Sequence, residues 1–171
     1  MRILGIDPGL HITGYAVVEM ETRPKLLEAG VLRSDGGEMP GRLRSLHDGI
    51  VEVLDQFHPA VMVVEQLYAH YAHPRTAILM GHARGVLLLA AAARDVATVS
   101  YNATRIKKTI TGSGRATKDQ VQRTIQRELS LAALPEPPDV ADALAAALCH
   151  CYVQKLPLAA ARSPRPGGTE G

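Results

Sequence analysis

Apolar and polar positions near the start of the chain follow the pattern of β-strands. Three apolar runs are separated by turn residues, which predicts strands at 2–7, 13–19 and about 26–33. The first two runs flank the turn Asp7, Pro8, Gly9, where proline suits the second position and glycine suits a third position that needs a positive φ. We therefore predict an antiparallel hairpin whose first strand ends on a carboxylate.

The rest of the chain alternates between helical and strand patterns. Prolines open two of the predicted helices, and Thr117 with Gln120 has the spacing of a capping box at the start of another. Valine-rich apolar runs are typical of buried parallel strands. The predicted elements are a helix from 40 to about 57, a strand at 60–66, a helix from 74 to about 94, a strand at 96–101, a helix from 117 to about 129 and a helix at 139–156.

An antiparallel start followed by alternating helices and strands predicts an α/β protein with a sheet of mixed polarity. The length of 171 residues suits one domain, which we place at 1–156, and the tail at 157–171, rich in Pro and Gly, is expected to be disordered.

The sequence suggests neither a signal peptide nor a membrane span. Cys149 and Cys151, two apart on a predicted helix, are expected to be reduced thiols. We expect a cytoplasmic protein with no membrane association.

Charge is unevenly distributed along the chain. The net charge is only +2, but the segment 102–127 contains seven basic residues and one acid, which gives it a charge of +6. A basic segment on a mildly acidic body suggests an anionic partner such as a phosphate backbone. The seven are Arg105, Lys107, Lys108, Arg115, Lys118, Arg123 and Arg127.

Four carboxylates occupy positions that the predicted fold could bring together. Asp7 and Glu65 end two predicted core strands, and side chains at such strand ends gather on one edge of a sheet. Asp139 and Asp142 are three residues apart, on one face of the first turn of the last helix. The helix dipole explains an acid at Asp139. It explains Asp142 less well, because an almost wholly apolar stretch follows that residue.

Clustered carboxylates repel one another, and a hard divalent cation removes that repulsion. Mg²⁺ and Mn²⁺ prefer oxygen ligands. Two such ions about 4 Å apart can activate a water and stabilise the leaving oxygen in phosphoryl transfer. Our hypothesis is that Asp7 ends its strand because a metal binds above it.

Five stretches carry a resemblance to a known family. They are GIDPG…TGY at 5–15, VEQLY at 64–68, GHARG at 81–85, KK and GSGRATKDQVQ at 107–122, and DVADALAAALCHC at 139–151. The chain resembles the RuvC-type Holliday junction resolvases, nucleases of the ribonuclease H-like superfamily. The resemblance implies a mixed five-stranded sheet flanked by helices. It also implies two Mg²⁺ or Mn²⁺ ions per active site, bound by the catalytic residues Asp7, Glu65, Asp139 and Asp142.

The resemblance also suggests residues that contact DNA. Tyr68 matches a family aromatic that stacks on junction bases, and Lys107 and Lys118 match lysines near the scissile phosphate. The basic segment extends the expected DNA contacts to Arg105, Lys108 and Arg115. The alternative for each lysine is an ordinary solvated helix face.

The implied activity is the resolution of Holliday junctions in DNA recombination and repair. Paired symmetric nicks would leave 5′-phosphate and 3′-hydroxyl ends, with water as the nucleophile. The implied partners are a four-way DNA junction, a RuvA–RuvB branch-migration complex and a second copy of the chain. Gly81 and Gly85 lie in a helix too apolar for a lone surface helix, which suggests a dimer face with two-fold symmetry.

Three other functions compete with this interpretation on sequence grounds. An actin-like or sugar-kinase-like ATPase also begins with a phosphate-binding hairpin, but it needs a second lobe and a second hairpin that this chain lacks. A binding module that has lost catalysis is disfavoured by the presence of all four carboxylates. A related nuclease acting on other branched or single-stranded DNA stays open.

Overall fold

The computed structural model describes residues 1–34, 37–66 and 74–155, which form five strands and five helices. Tyr68 and the tail expected to be disordered lie outside these ranges. The elements in chain order are β1 (Arg2–Asp7), β2 (Ile12–Met20), β3 (Pro24–Arg33), α1 (Met39–Phe57), β4 (Val61–Glu65), α2 (Pro74–Ala92), β5 (Ala97–Tyr101), α3 (Ala103–Thr111), α4 (Lys118–Glu128) and α5 (Pro138–Lys155).

The strands form one mixed sheet in the order β3-β2-β1-β4-β5. β1, β2 and β3 are antiparallel neighbours, whereas β1, β4 and β5 run parallel. The predicted α/β architecture and the antiparallel hairpin of β1 and β2 are therefore confirmed. The parallel strands β1 and β4 both end at the same edge of the sheet, on Asp7 and Glu65.

Hydrophobic cores lie on both faces of the sheet. Alternate residues of β1 point in opposite directions, so that Ile3 packs with Leu144 of α5 while Leu4 and Ile6 pack with Leu87 of α2. α3, α4 and α5 cover the first face, and α1 and α2 cover the second. Burial on both faces explains why the central strands are almost continuously apolar. None of the helices in the described ranges is long and apolar enough to cross a membrane.

Two glycines let α5 lie directly on the backbone of the β1–β2 hairpin. A Cβ at Gly5 would lie 2.1 Å from the carbonyl oxygen of Ala143, and a Cβ at Gly14 would lie 2.0 Å from that of Asp139. Neither position tolerates a side chain without moving the helix. The role of Gly14 is therefore to allow this close approach of α5. The first turn of α5 is thereby held beside the end of β1.

The turn between β1 and β2 departs from the prediction. Among the described glycines, only Gly37 and Gly112 have a positive φ, so the expectation of a positive φ at Gly9 is wrong. Glycine is needed there for space, because a Cβ would lie 2.1 Å from the carbonyl oxygen of Ile12. The buried Thr13 closes the turn: its hydroxyl donates to the Gly9 carbonyl at 2.7 Å and accepts from the Gly9 N–H at 3.2 Å.

Local capping defines the two helices of the basic segment. The predicted capping box of α4 is present, with Thr117 and Gln120 each accepting a hydrogen bond from the other's backbone N–H. We did not predict α3. Its signals are Asn102, whose side chain accepts from the Arg105 N–H at 2.7 Å, and Gly112, which ends the helix in the left-handed conformation.

Candidate active site

Asp7 and Glu65 are neighbours at one edge of the sheet. β1 and β4 are parallel with Ile6 paired to Val64, so the next position along each strand sets Asp7 beside Glu65. Adjacent strands lie about 4.8 Å apart. Because side chains alternate along a strand, both carboxylates lie on the face that α5 covers.

The first turn of α5 brings two further carboxylates to this edge. The backbone of Asp139 rests on Gly14, which is the pairing partner of Asp7 in the hairpin. Asp142, one turn further along α5, lines a small pocket together with Glu65. Residues that are up to 135 positions apart in the chain therefore surround a single strand end.

The Asp7 carboxyl lies in strongly unfavourable surroundings for a negative charge. Burial, and then the charges of Asp142, Glu65 and Asp139, raise its pKa from 3.8 to about 7, and Lys118 offsets part of that rise. At neutral pH the group is poised between its neutral and ionised forms. The cluster therefore carries more negative charge than its protein surroundings compensate.

Two lysines face the same carboxylates from the other side of the pocket. Burial and the charge of Asp142 raise the pKa of Glu65, whereas Lys107 and Lys118 lower it. The Lys118 Nζ donates a hydrogen bond to the Asp142 Oδ2 at 3.3 Å. The Lys118 side chain is 74% exposed, and ion pairs that exposed are worth only about 0–1 kcal/mol. Lys118 can therefore leave Asp142 for another anion at little cost.

The four carboxylates suit a divalent cation in chemistry but stand in an open arrangement. Across residues 1–34, 37–66 and 74–155, no three His, Cys, Asp or Glu side chains lie close enough to hold a metal ion as they stand. Mutual repulsion favours such an opening. Every donor in the cluster is a carboxylate oxygen, the ligand that hard cations prefer, and the raised pKa of Asp7 marks a site that a positive charge would stabilise. The donor set fits the ion, and the carboxylates would have to move closer together to coordinate it.

Comparison with known proteins assigns the chain to a family. Residues 3–150 match the family model described as "Crossover junction endodeoxyribonuclease RuvC". A protein with the same description from Rhodopirellula baltica is 51% identical over 158 residues, which cover 91% of this chain and 89% of that protein. The chain belongs to the RuvC family. A RuvC from Azoarcus sp. is 40% identical over 152 residues, covering 88% of this chain and 82% of the relative.

Solved structures agree with this assignment. The Thermus thermophilus RuvC structure superposes with a TM-score of 0.85 at 31% identity, covering 91% of this chain and 96% of that one. T. thermophilus RuvC in complex with Holliday junction substrate gives a TM-score of 0.84 at 30% identity, with the same coverage. The yeast mitochondrial Holliday junction resolvase Ydc2, at 15% identity and a TM-score of 0.66 over 90% of this chain and 80% of its own, shares the fold.

The five basic residues of this RuvC-family chain that are expected to contact DNA divide into two groups. Lys107 and Lys118 face the carboxylates, as described. Arg105, Lys108 and Arg115 are exposed on α3 and the loop after it, outside the pocket that Glu65 and Asp142 share. The Arg105 guanidinium lies over the ring of Tyr101, 4.9 Å from its centroid, which limits the directions it can take.

Sequence reasoning assigned no role to two polar residues of the RuvC-family fold, although both lie in stretches that carry the resemblance. Arg84 of α2 binds the end of β4, and the buried His150 of α5 hydrogen-bonds the Tyr101 hydroxyl of β5 at 2.8 Å. Burial lowers the pKa of His150, which favours its neutral form. Both residues lie among mainly apolar neighbours in their helices. A polar side chain in such a helix needs a partner inside the fold, and that was the available signal.

Proposed function

We propose that this chain is a divalent-metal-dependent endonuclease that resolves Holliday junctions by paired symmetric nicks in DNA recombination and repair in the cytoplasm. The observation that carries the proposal is the crowding of Asp7 by three other carboxylates at one sheet edge, in a member of the RuvC family. The solved relative in complex with Holliday junction substrate supports the choice of substrate.

The proposed metal ligands are Asp7, Glu65, Asp139 and Asp142. Their carboxylate oxygens suit two Mg²⁺ or Mn²⁺ ions, since the cluster's excess negative charge favours divalent cations. When bound, such ions supply an activated water and stabilise the leaving oxygen. Around the pocket, no serine, tyrosine or cysteine is among the described lining residues. Direct hydrolysis to 5′-phosphate and 3′-hydroxyl ends therefore fits the site better than a covalent intermediate.

Lysines of the pocket are proposed to bind the scissile phosphate. Lys107 is half-buried beside Glu65, and Lys118 forms an exposed ion pair with Asp142. Because that ion pair is exposed, the Lys118 ammonium could exchange Asp142 for a phosphate of the incoming DNA. A phosphate held there would gain charge stabilisation as the transition state forms.

Further DNA contacts are proposed from the exposed basic surface. Arg105, Lys108 and Arg115 flank the pocket along α3 and its following loop, where phosphate contacts would orient the junction. Tyr68 is proposed to stack on a junction base. A branch-migration complex of RuvA and RuvB is the proposed protein partner.

A homodimer is proposed to form through α2. Ile78, Gly81, Gly85 and Leu89 fall on one stripe of this helix, with Ile78 61% and Leu89 65% exposed and both glycines facing open space. The opposite side of α2, including Leu87, is buried in the core. If a two-fold axis passes through the exposed stripe, the α2 helices of two copies can approach closely. Such a dimer carries two active sites, as two symmetric nicks require.

Cleavage of a synthetic mobile four-way junction tests the proposal. Wild type and Asp142→Asn would be compared with Mg²⁺ and with Mn²⁺, and binding would be measured separately by gel shift in EDTA. We expect Asp142→Asn to keep junction binding, because the basic surface is intact, and to lose at least about a hundredfold in cleavage rate. Asp119→Asn is the matched control, since Asp119 is an exposed α4 carboxylate paired with Arg123. Absence of cutting by wild type with either metal would contradict the proposal.

A further inference from the structure

Arg84 lies in the middle of the mainly apolar helix α2 and reaches the end of strand β4. Its Nη1 donates to the backbone carbonyl oxygen of Glu65 at 2.8 Å, and its Nη2 donates to the Ser100 Oγ of β5 at 2.7 Å. The side chain is half-buried, and the loss of hydration lowers the pKa of the guanidinium. Both arms of the guanidinium fork are thus used on two neighbouring strands.

Glu65 is the last residue of β4 and lies just beyond the pairing of β4 with β1. On the β1 side the last pair is Ile6 with Val64, one residue short of Glu65. On the β5 side, Glu65 pairs with Tyr101, whose carbonyl accepts from the N–H of the following residue, Gln66, at 2.9 Å. Arg84 supplies the partner for the Glu65 carbonyl itself. The peptide group between Glu65 and Gln66 is therefore held by one hydrogen bond to β5 and one from Arg84.

The arginine and the Glu65 carboxylate lie on opposite faces of the sheet. Val64 and Met62 point toward α2, whereas Val63 points toward α5, and alternation puts the Glu65 side chain on the α5 face. Arg84 thus touches the backbone of Glu65 and leaves the carboxylate free for the cluster. Any influence of Arg84 on that cluster passes through the orientation of the Glu65 main chain.

We propose that Arg84 is a positioning residue for Glu65, fixing the end of β4 so that the Glu65 carboxylate stays aimed at Asp7 and Asp142. The inference rests on the proposed function, in which Glu65 is a metal ligand. A bidentate guanidinium is suited to the task because it binds two acceptors in a fixed geometry. The competing explanation is that Arg84 only fastens α2 to the sheet.

A double-mutant cycle on Mn²⁺ binding separates these explanations. Calorimetric Mn²⁺ titrations of the full chain would compare wild type, Glu65→Gln, Arg84→Met and the double variant, all well below their Tm. Loss of residues that orient metal ligands costs about 10–100-fold in metal affinity. We expect Arg84→Met to weaken Mn²⁺ binding about tenfold, and to weaken it much less when Glu65→Gln is already present, because the two act through one ligand.

Two further variants complete the design. Ser100→Ala removes one hydrogen bond of Arg84 and leaves the Glu65 contact, so it should bind Mn²⁺ like wild type. Arg84→Lys keeps the charge but not the fork, so it should restore part of the affinity and serves if Arg84→Met fails to fold. On a four-way junction, both Arg84 variants should lower kcat and leave KM unchanged, since junction binding uses another surface.

The outcomes are distinguishable. A wild type that binds no Mn²⁺ would overturn the proposed metal site and this inference with it. If wild type binds Mn²⁺ and Glu65→Gln weakens binding, then normal Mn²⁺ affinity in Arg84→Met with a lowered Tm makes Arg84 purely structural. Equal losses from Arg84→Met with and without Glu65→Gln would likewise overturn the inference.

Discussion

Replacing Asp7 by asparagine should stabilise the metal-free protein even as it removes a proposed metal ligand. The folded protein raises the pKa of Asp7 from 3.8 to about 7, through burial and three neighbouring carboxylates. The folded state therefore keeps a proton that the unfolded chain releases between about pH 4 and pH 7. Stability falls as the pH rises through that window, because the unfolded state binds fewer protons there. Asparagine does not ionise and carries no such penalty.

The expected gain in unfolding free energy follows from the change in the pKa of Asp7 on folding. A change of about 3 pKa units corresponds to about 4 kcal/mol, at about 1.4 kcal/mol per unit, and this is an upper bound on the gain above pH 7. At pH 5 Asp7 stays protonated in the folded protein, and the penalty is only about 1.6 kcal/mol. The difference in unfolding free energy between Asp7→Asn and wild type should therefore grow by about 2–3 kcal/mol between pH 5 and pH 8.

Urea unfolding of both proteins in EDTA at pH 5 and pH 8 measures this difference. Asp55→Asn is the control of opposite sign, because the hydrogen bond from Arg94 lowers the pKa of Asp55 in the folded state. Its stability contribution is present above the unfolded pKa and is lost in acid, so Asp55→Asn should not gain stability on raising the pH. Added Mn²⁺ should stabilise wild type by mass action and stabilise Asp7→Asn much less.

A difference in unfolding free energy between Asp7→Asn and wild type that does not change with pH would contradict a raised pKa of Asp7. A variant that is less stable than wild type at pH 8 would be equally damaging. Either outcome would mean that Asp7 is well solvated or already compensated by cations of the protein. The electrostatic case for a metal site at this edge would then be lost.

Three further predictions follow from the structure. Leu89→Glu puts a charge on the exposed stripe of α2 and should convert a dimer to a monomer in sedimentation at micromolar concentration; an unchanged mass would contradict the proposed interface. Lys118→Met removes the ion pair with Asp142 and should lower stability by less than about 1 kcal/mol while strongly reducing junction cleavage, so normal cleavage would exclude a role at the phosphate. Gly5→Ala forces a Cβ against the backbone of α5 and should cost about 3 kcal/mol in thermal or urea unfolding, whereas Gly41→Ala, facing open space, should not destabilise.

Local patterns predicted most of the fold because their physical causes are local. Apolar periodicity located all five strands, and the spacing of Thr117 and Gln120 predicted the start of α4 to the residue. α3 was overlooked because its amphipathic pattern is only nine residues long and its cap, Asn102, directly follows a strand. Gly9 was assigned to the right turn for the wrong reason, since space rather than φ requires it.

The candidate site was predictable in its residue types but not in its contacts. The strand ends and the first turn of α5 predicted that the four carboxylates share one edge of the sheet, because chain order and element type decide which edge they share. The pair of Lys118 with Asp142 and the bond from Arg84 to the Glu65 carbonyl depend on how separate elements pack. No periodicity encodes such distances, and the long-range glycine contact of Gly14 with α5 is of the same kind.

Anomalous diffraction from crystals of the full chain grown with Mn²⁺ would show whether the four carboxylates bind metal ions. We expect two manganese peaks about 4 Å apart, with oxygens of Asp7, Glu65, Asp139 and Asp142 about 2 Å from them. Manganese bound elsewhere at saturating concentration, with this edge of the sheet free of anomalous signal, would contradict this expectation.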